Sequence, residues 1–193
     1  MKMMNMTPLA AVLMCVSLTA AAAPETFTLD PEHTFPSFEI GHQGISVMRG
    51  KFNRSKGRAM FDAENQQGAI DVRVDATSGD TGHDGLNKKL LGGNFFRTSQ
   101  FPEIIFQSNQ VEFKDGKPVS AVGNLTLLGV TKPVTLEIRD YACTLQFLTR
   151  RPMCGADVHT VIKRTDFGMN YGAPTLIGDE VKLAIEVEGF KDR

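Results

Sequence analysis

The feature that most constrains this chain is alternation with period two. Ile70, Val72 and Val74 alternate with Asp71, Arg73 and Asp75; Val134, Leu136 and Ile138 alternate with Thr135, Glu137 and Arg139. Val181, Leu183, Ile185 and Val187 do the same against Lys182, Glu186 and Glu188. Successive side chains on an extended strand point to opposite faces, so each segment presents one apolar and one wet face. Parallel sheets are covered on both faces and read as unbroken apolar runs, so this pattern points to antiparallel sheet. Further strands are predicted at 27–30, 38–42, 50–55, 57–62, 103–108, 110–113 and 122–128. Asp115-Gly116 is the strongest hairpin signal, and Gly178-Asp179 introduces the last strand. One helix is predicted over Asp84 to Leu91, with Leu86, Leu90 and Leu91 on one face. Thr81 or Asp84 would cap its start and Gly92-Gly93 would end it.

Some nine or ten strand segments, with no domain-sized linker, repeat or low-complexity tract, predict one all-β domain, a sandwich or a barrel. A single antiparallel β-barrel of about eight strands with one short helix is favoured, because closure removes sheet edges that would otherwise invite aggregation. A barrel of that size is either filled by its own side chains or holds one small ligand.

The N-terminus is expected to leave the mature protein. Lys2 precedes an apolar run from Leu9 to Ala22, and Ala21-Ala22-Ala23 offers a cleavage site, so residues 1–23 read as a secretory signal peptide. The run is too short to span a bilayer comfortably, and no later segment approaches the ~20 residues that spanning needs. No stable membrane insertion is therefore expected, and the mature domain is 24–193. Its cysteines are Cys143 and Cys154, since Cys15 departs with the signal. In an oxidising compartment a disulfide pinning the loop with Arg150, Arg151 and Pro152 is favoured over free or redox-active thiols; no metal-ligand spacing accompanies the pair. The whole chain has 21 basic and 22 acidic residues, with no basic cluster beyond Lys88-Lys89 and Arg150-Arg151. A nucleic-acid partner is not expected.

The interior is expected to be oily. The chain holds 13 Phe, two Tyr and no Trp. The candidate lining residues are Phe38, Ile40, Phe52, Phe61, Ile70, Val72, Val74, Leu86, Leu90, Phe95, Phe96, Ile104, Phe106, Leu125 and Leu127. Composition alone fits an ordinary packed core as well as a lumen. No catalytic residue, metal site or cofactor is assigned. Gly-x-Ser-x-Gly is absent, and His33 and His42, with Asp30, Glu32 and Ser37 near them in sequence, lack zinc-site or nucleophile-base spacing. Structural hydrogen bonds at a barrel end are the favoured role for these histidines. His33, His42 and Lys89 are nonetheless the candidate contacts for a polar head group at a pocket mouth.

Five segments in order, FTLDPEHTFPSFEIGHQGISVMRGKF, GNFFRTSQFPEIIFQS, VGNLTLLGVTKPVTLEI, KRTDFGMN and IGDEVKLAIEVEG, resemble the signatures of the YceI-like family of bacterial exported proteins. The resemblance covers nearly all of residues 25 to 189. It implies a lipocalin-like barrel whose elongated apolar pocket holds a long-chain amphiphile, such as a polyisoprenoid, quinone-like or fatty-acyl lipid. It also implies a periplasmic location, no covalent chemistry, and a homodimer as one assembly. The chain departs from the family pattern at Asn87 and Lys89, where the family has an Asp-x-His pair, and at Thr34, where it usually has Ser. The stretch CTLQFLTRRPMC lies outside the general pattern. Two rival readings are an enzyme acting on a lipid or quinone through His33 and His42, and a stress-related structural binding module.

Overall fold

The computed structural model describes residues 23–193; the predicted signal peptide and Cys15 lie outside the described residues, apart from Ala23. The elements are β1 (Glu25–Leu29), β2 (Phe35–His42), β3 (Ser46–Phe52), β4 (Ser55–Asp62), β5 (Gln67–Asp75), β6 (Gly79–Asp80), α1 (Asp84–Leu91), β7 (Glu103–Lys114), β8 (Lys117–Leu127), β9 (Val130–Leu145), β10 (Pro152–Lys163) and β11 (Ile177–Lys191). Every pairing is antiparallel. Eight strands form a closed ring in the order β1-β4-β5-β7-β8-β9-β10-β11, and Phe27 opposite Lys191 through Leu29 opposite Gly189 completes the circuit.

The ring has a branch, because β11 is long enough to serve two neighbours. Its C-terminal residues pair with β1, and Ile177 to Glu186 pair with β2. The branch β2-β3-β6 therefore extends the wall at one end only. Thr34 makes the changeover possible. Buried between β1 and β2, its hydroxyl donates to the Glu188 carbonyl at 3.2 Å and accepts the Glu188 N–H at 3.3 Å. The Asp30 N–H also donates to that carbonyl at 2.9 Å, so the Glu188 backbone stays bonded where β11 changes neighbour.

Helix α1 occupies the predicted span, but its cap is His83, not Thr81 or Asp84. The His83 Nδ1 accepts the N–H groups of Gly85 and Leu86 at 3.2 and 3.4 Å. Thr81 is unavailable because its hydroxyl donates to Asn87 Oδ1 at 2.7 Å, and Asp84 already lies inside the first turn. Gly92 ends the helix. Leu90, Leu91 and Phe52 close over Gly79, where an added Cβ would sit 3.3 Å from each of the three side chains.

Three strand boundaries differ from the sequence reading. Segments 103–108 and 110–113 are one strand, β7, because Ser108 Oγ accepts the Gln110 N–H and donates to the Val122 carbonyl across a bulge. Segment 50–55 is split between β3 and β4. Strand β10, hidden by its mixed polarity, forms a hairpin with β9, and Cys143 and Cys154 face each other across it in a disulfide. The link closes a short loop, so Cys143→Ser/Cys154→Ser is expected to lower folding stability by about 2 to 3 kcal/mol. Chemical denaturation of both proteins measures this; a difference under about 0.5 kcal/mol would show that the ladder alone holds the hairpin.

A packed core gathers at the end of the barrel next to α1. Phe106, Leu125, Leu127, Leu128, Ile162, Phe167 and Met169 are buried there, with Phe95, Phe96 and Phe101 against them. The remaining interior is not filled.

Candidate functional site

Beside that core runs a cavity of about 720 Å³. Its walls are the inward faces that the alternation marks. All fifteen residues expected to line the interior border it, from Phe38 and Ile40 on β2 to Leu125 and Leu127 on β8. The other half of the ring adds lining that the sequence reading does not name: Val134, Leu136 and Ile138 on β9, Val158, Thr160 and Ile162 on β10, and Val181, Leu183 and Ile185 on β11. The β9 and β11 residues carry the same period-two pattern and were legible by that signal. The β10 residues were not, because Thr160 and the nearby cysteines interrupt it. Aromatic rings brace the wall at both ends: Phe52 stands edge-on to Phe96 at 5.2 Å, and Phe61 edge-on to Phe113 and Tyr141 at 6.0 and 6.1 Å.

One end of the cavity meets solvent. Exposed Arg49, Lys89, Gly93, Asn94, Tyr171 and Leu176 border it, from the β2-β3 branch, the end of α1 and the segment before β11. At the other end Phe27, Pro118, Tyr141, Cys154 and Gly155 border it, and none of these is exposed. The Tyr141 hydroxyl is pushed up to about 12, first by burial and then by the Glu25 charge, so it stays neutral at any ordinary pH.

Charged groups around the cavity are engaged or peripheral. Arg49 donates to Glu39 at 2.6 Å on the outer face of the branch. Arg164 is 1% exposed, and its guanidinium is bound to the carbonyls of Met169, Ile177 and Gly178 at 2.6, 2.9 and 2.7 Å. Burial lowers its pKa, partly opposed by Asp179. His42 and Lys89 border the mouth, in the region expected for head-group contacts. His33 does not border the cavity. It stands in the β1-β2 bend with its side chain 59% exposed, and is separated from His42 by the whole of β2. Nine residues of mostly extended chain place the two imidazoles roughly 30 Å apart, too far to work on one bond. Asn87, at the departure from the family pattern, also faces elsewhere: it accepts from Thr81 and donates to Asp80 Oδ1 at 2.8 Å, tying α1 to β6.

Among the described residues, Asp30, His33 and Glu188 bring donor atoms within 4.8 Å of one another. The arrangement works as an ion pair: His33 Nδ1 lies 2.8 Å from Asp30 Oδ2. The bond to Asp30 raises the His33 pKa above its ordinary value, against a desolvation effect, with Glu188 and Glu32 adding to the rise. Burial raises the Asp30 carboxyl, but His33 and the Glu32 N–H outweigh it and leave it lowered. A histidine raised in the folded state stabilises at low pH, and that contribution disappears as pH rises through the folded pKa. The expected result is a melting temperature that falls from pH 6 to pH 8.5 more in the wild type than in His33→Gln. Parallel pH profiles would place the interaction elsewhere.

Comparison with known proteins agrees with this architecture. The YceI-like domain matches residues 27–189. A UPF0312 protein of Yersinia pestis (strain Pestoides F) is 40% identical over 187 residues, covering 93% of this chain and 92% of its own. Protein YceI of Escherichia coli O6:H1 is 38% identical over 130 residues, covering 67% of this chain and 68% of its own. Among solved structures, Burkholderia cenocepacia BcnA superposes with a TM-score of 0.71 at 21% identity, over 83% of this chain and 98% of that one. A polyisoprenoid binding domain from Saccharophagus degradans, implicated in plant cell wall breakdown, gives 0.63 at 18% identity, over 86% and 98%. These two likenesses concern the fold. The match across the barrel and the Yersinia identity together place the chain in the YceI-like family.

Proposed function

We propose that the barrel is a periplasmic carrier that encloses the apolar tail of one long-chain amphiphile, an isoprenoid, quinone-like or fatty-acyl lipid, without covalent chemistry. The observation that carries this reading is the unfilled cavity of about 720 Å³, walled by Phe, Leu, Ile and Val. Its size is within the roughly 300 to 1,000 Å³ of ligand pockets, and its lining offers an aqueous guest nothing to hydrogen-bond along most of its length. Burial is the driving force. At about 0.8 kcal/mol per methylene, ten enclosed methylenes contribute ~8 kcal/mol before ordering costs, which suits micromolar binding. Selectivity then follows chain length and lumen shape, with His42 and Lys89 at the mouth able to meet a polar head.

The polyisoprenoid-binding character of the Saccharophagus neighbour supports the choice of ligand class. The apolar N-terminal run and the Cys143–Cys154 link support export to an oxidising compartment. The separation of His33 from His42 argues against an enzyme that uses both. The test is native purification from the host followed by lipid extraction and mass spectrometry. A stoichiometric long-chain lipid is expected. An empty protein that also fails to bind prenyl and fatty-acyl probes would end the carrier reading.

A further inference from the structure

The hairpin between β9 and β10 carries an exposure that neither the barrel nor its lumen explains. Phe147 is 86% exposed and Leu148 is 80% exposed, adjacent at the tip, with Leu145 at their base 44% exposed. Large apolar side chains standing together in water mark a surface that something covers. The tip is held in shape. The Arg150 N–H donates to the Gln146 carbonyl at 2.8 Å and the Gln146 N–H to the Arg151 carbonyl at 2.8 Å. Gln146 Oε1 accepts from both the backbone and the hydroxyl of Thr149, and the Cys143–Cys154 link braces the stem.

Charge narrows the choice of partner. Residues 141–154 include Arg150 and Arg151 and no Asp or Glu. Both arginines directly follow the apolar pair along the chain; Arg151 lies over the Phe190 ring at 4.4 Å, which fixes it at the foot of the tip. Two apolar side chains at an apex with cations behind them match the cross-section of an anionic bilayer surface, in which acyl chains lie beneath a layer of phosphates. The geometry points to a finger, residues 145–151, that docks the barrel on an anionic phospholipid membrane. Phe147 and Leu148 enter the boundary between head groups and acyl chains, and Arg150 and Arg151 pair with phosphates.

The attachment is peripheral and does not depend on what the lumen holds. It also sets an orientation. Strand β10 runs from the finger at Pro152 to the mouth end at Lys163, so the docked barrel turns its mouth away from the bilayer. That posture suits exchange with a soluble partner.

Cosedimentation with large unilamellar vesicles tests the proposal, using phosphatidylcholine alone and phosphatidylcholine with 30 mol% phosphatidylglycerol. The wild type is expected to sediment with the anionic vesicles at least tenfold better than with the neutral ones. Phe147→Ser/Leu148→Ser should lose at least tenfold of that binding while keeping its unfolding midpoint, since both side chains are outside the fold. Arg150→Gln/Arg151→Gln, with the apolar tip intact, should lose the preference for phosphatidylglycerol. Wild type that stays in the supernatant, or a serine variant that sediments like wild type, overturns the finger. So does a finger whose loss abolishes capture of a protein partner but leaves vesicle binding at background.

Discussion

Arg164→Met is expected to lower the folding stability by about 3 to 5 kcal/mol, the order expected for losing three hydrogen bonds from a buried charged donor. The guanidinium donates to three backbone carbonyls, those of Met169, Ile177 and Gly178. They lie at the two ends of the segment that carries Tyr171 and Leu176 to the mouth. Methionine has a similar length and no donors, so the three carbonyls would lose the bonds that tie the two ends of the segment together. Arg164→Lys should recover less than half of the loss, because a single ammonium cannot reproduce the planar fork that reaches all three. Urea unfolding of the three proteins reads this directly. A methionine variant within about 1 kcal/mol of the wild type would mean that water already serves these carbonyls. The same clamp sets the shape of the mouth, so any surviving Arg164→Met protein should exchange guests faster.

The largest expected effect on binding comes from Thr160→Trp. Thr160 borders the cavity from β10, opposite Leu183 near the middle of β11. An indole there enters open space rather than a packed core, so the overpacking cost stays near 1 kcal/mol or below while the lumen is divided. Affinity for a long prenyl or acyl probe should fall at least tenfold, about 1.4 kcal/mol, with a smaller loss for a short-chain probe that occupies only the part nearest the mouth. His33→Ala should leave both affinities within about twofold, since that side chain does not border the cavity. Titration of a fluorescent acyl probe into each variant separates these outcomes. Equal losses for short and long probes, or a large effect from His33→Ala, would move the binding site out of the barrel interior.

How much was legible in the sequence depends on how local the signal was. Helix α1 was found to the residue because Leu86, Leu90 and Leu91 share a face and Gly92 stops the helix, both short-range facts. Its cap was misassigned because the competing bond from Thr81 to Asn87 exists only once α1 and β6 have met. Strand β10 is not legible by alternation because its inward face mixes Val158 and Ile162 with Thr160, a pattern that a lumen tolerates and a packed core rarely does. The split of residues 50–55 between two strands was hidden for a related reason. Which neighbour each half pairs with is decided by β11 reaching both β1 and β2.

Period-two alternation was enough to assign the class of fold, since strands with one apolar face must cover it with another sheet face, by closure or by packing of two sheets. The sequence also determined the oily character of the interior, because inward positions are chosen residue by residue. The tertiary structure alone decided that this interior is part core and part cavity. Packing density is a property of many side chains meeting from distant strands, and the same Phe, Leu and Val residues fill space or leave it according to how the ring closes and what α1 covers. It likewise decided that His33 lies outside the lumen and His42 at its mouth, because a strand carries two nearby letters to opposite ends of a barrel.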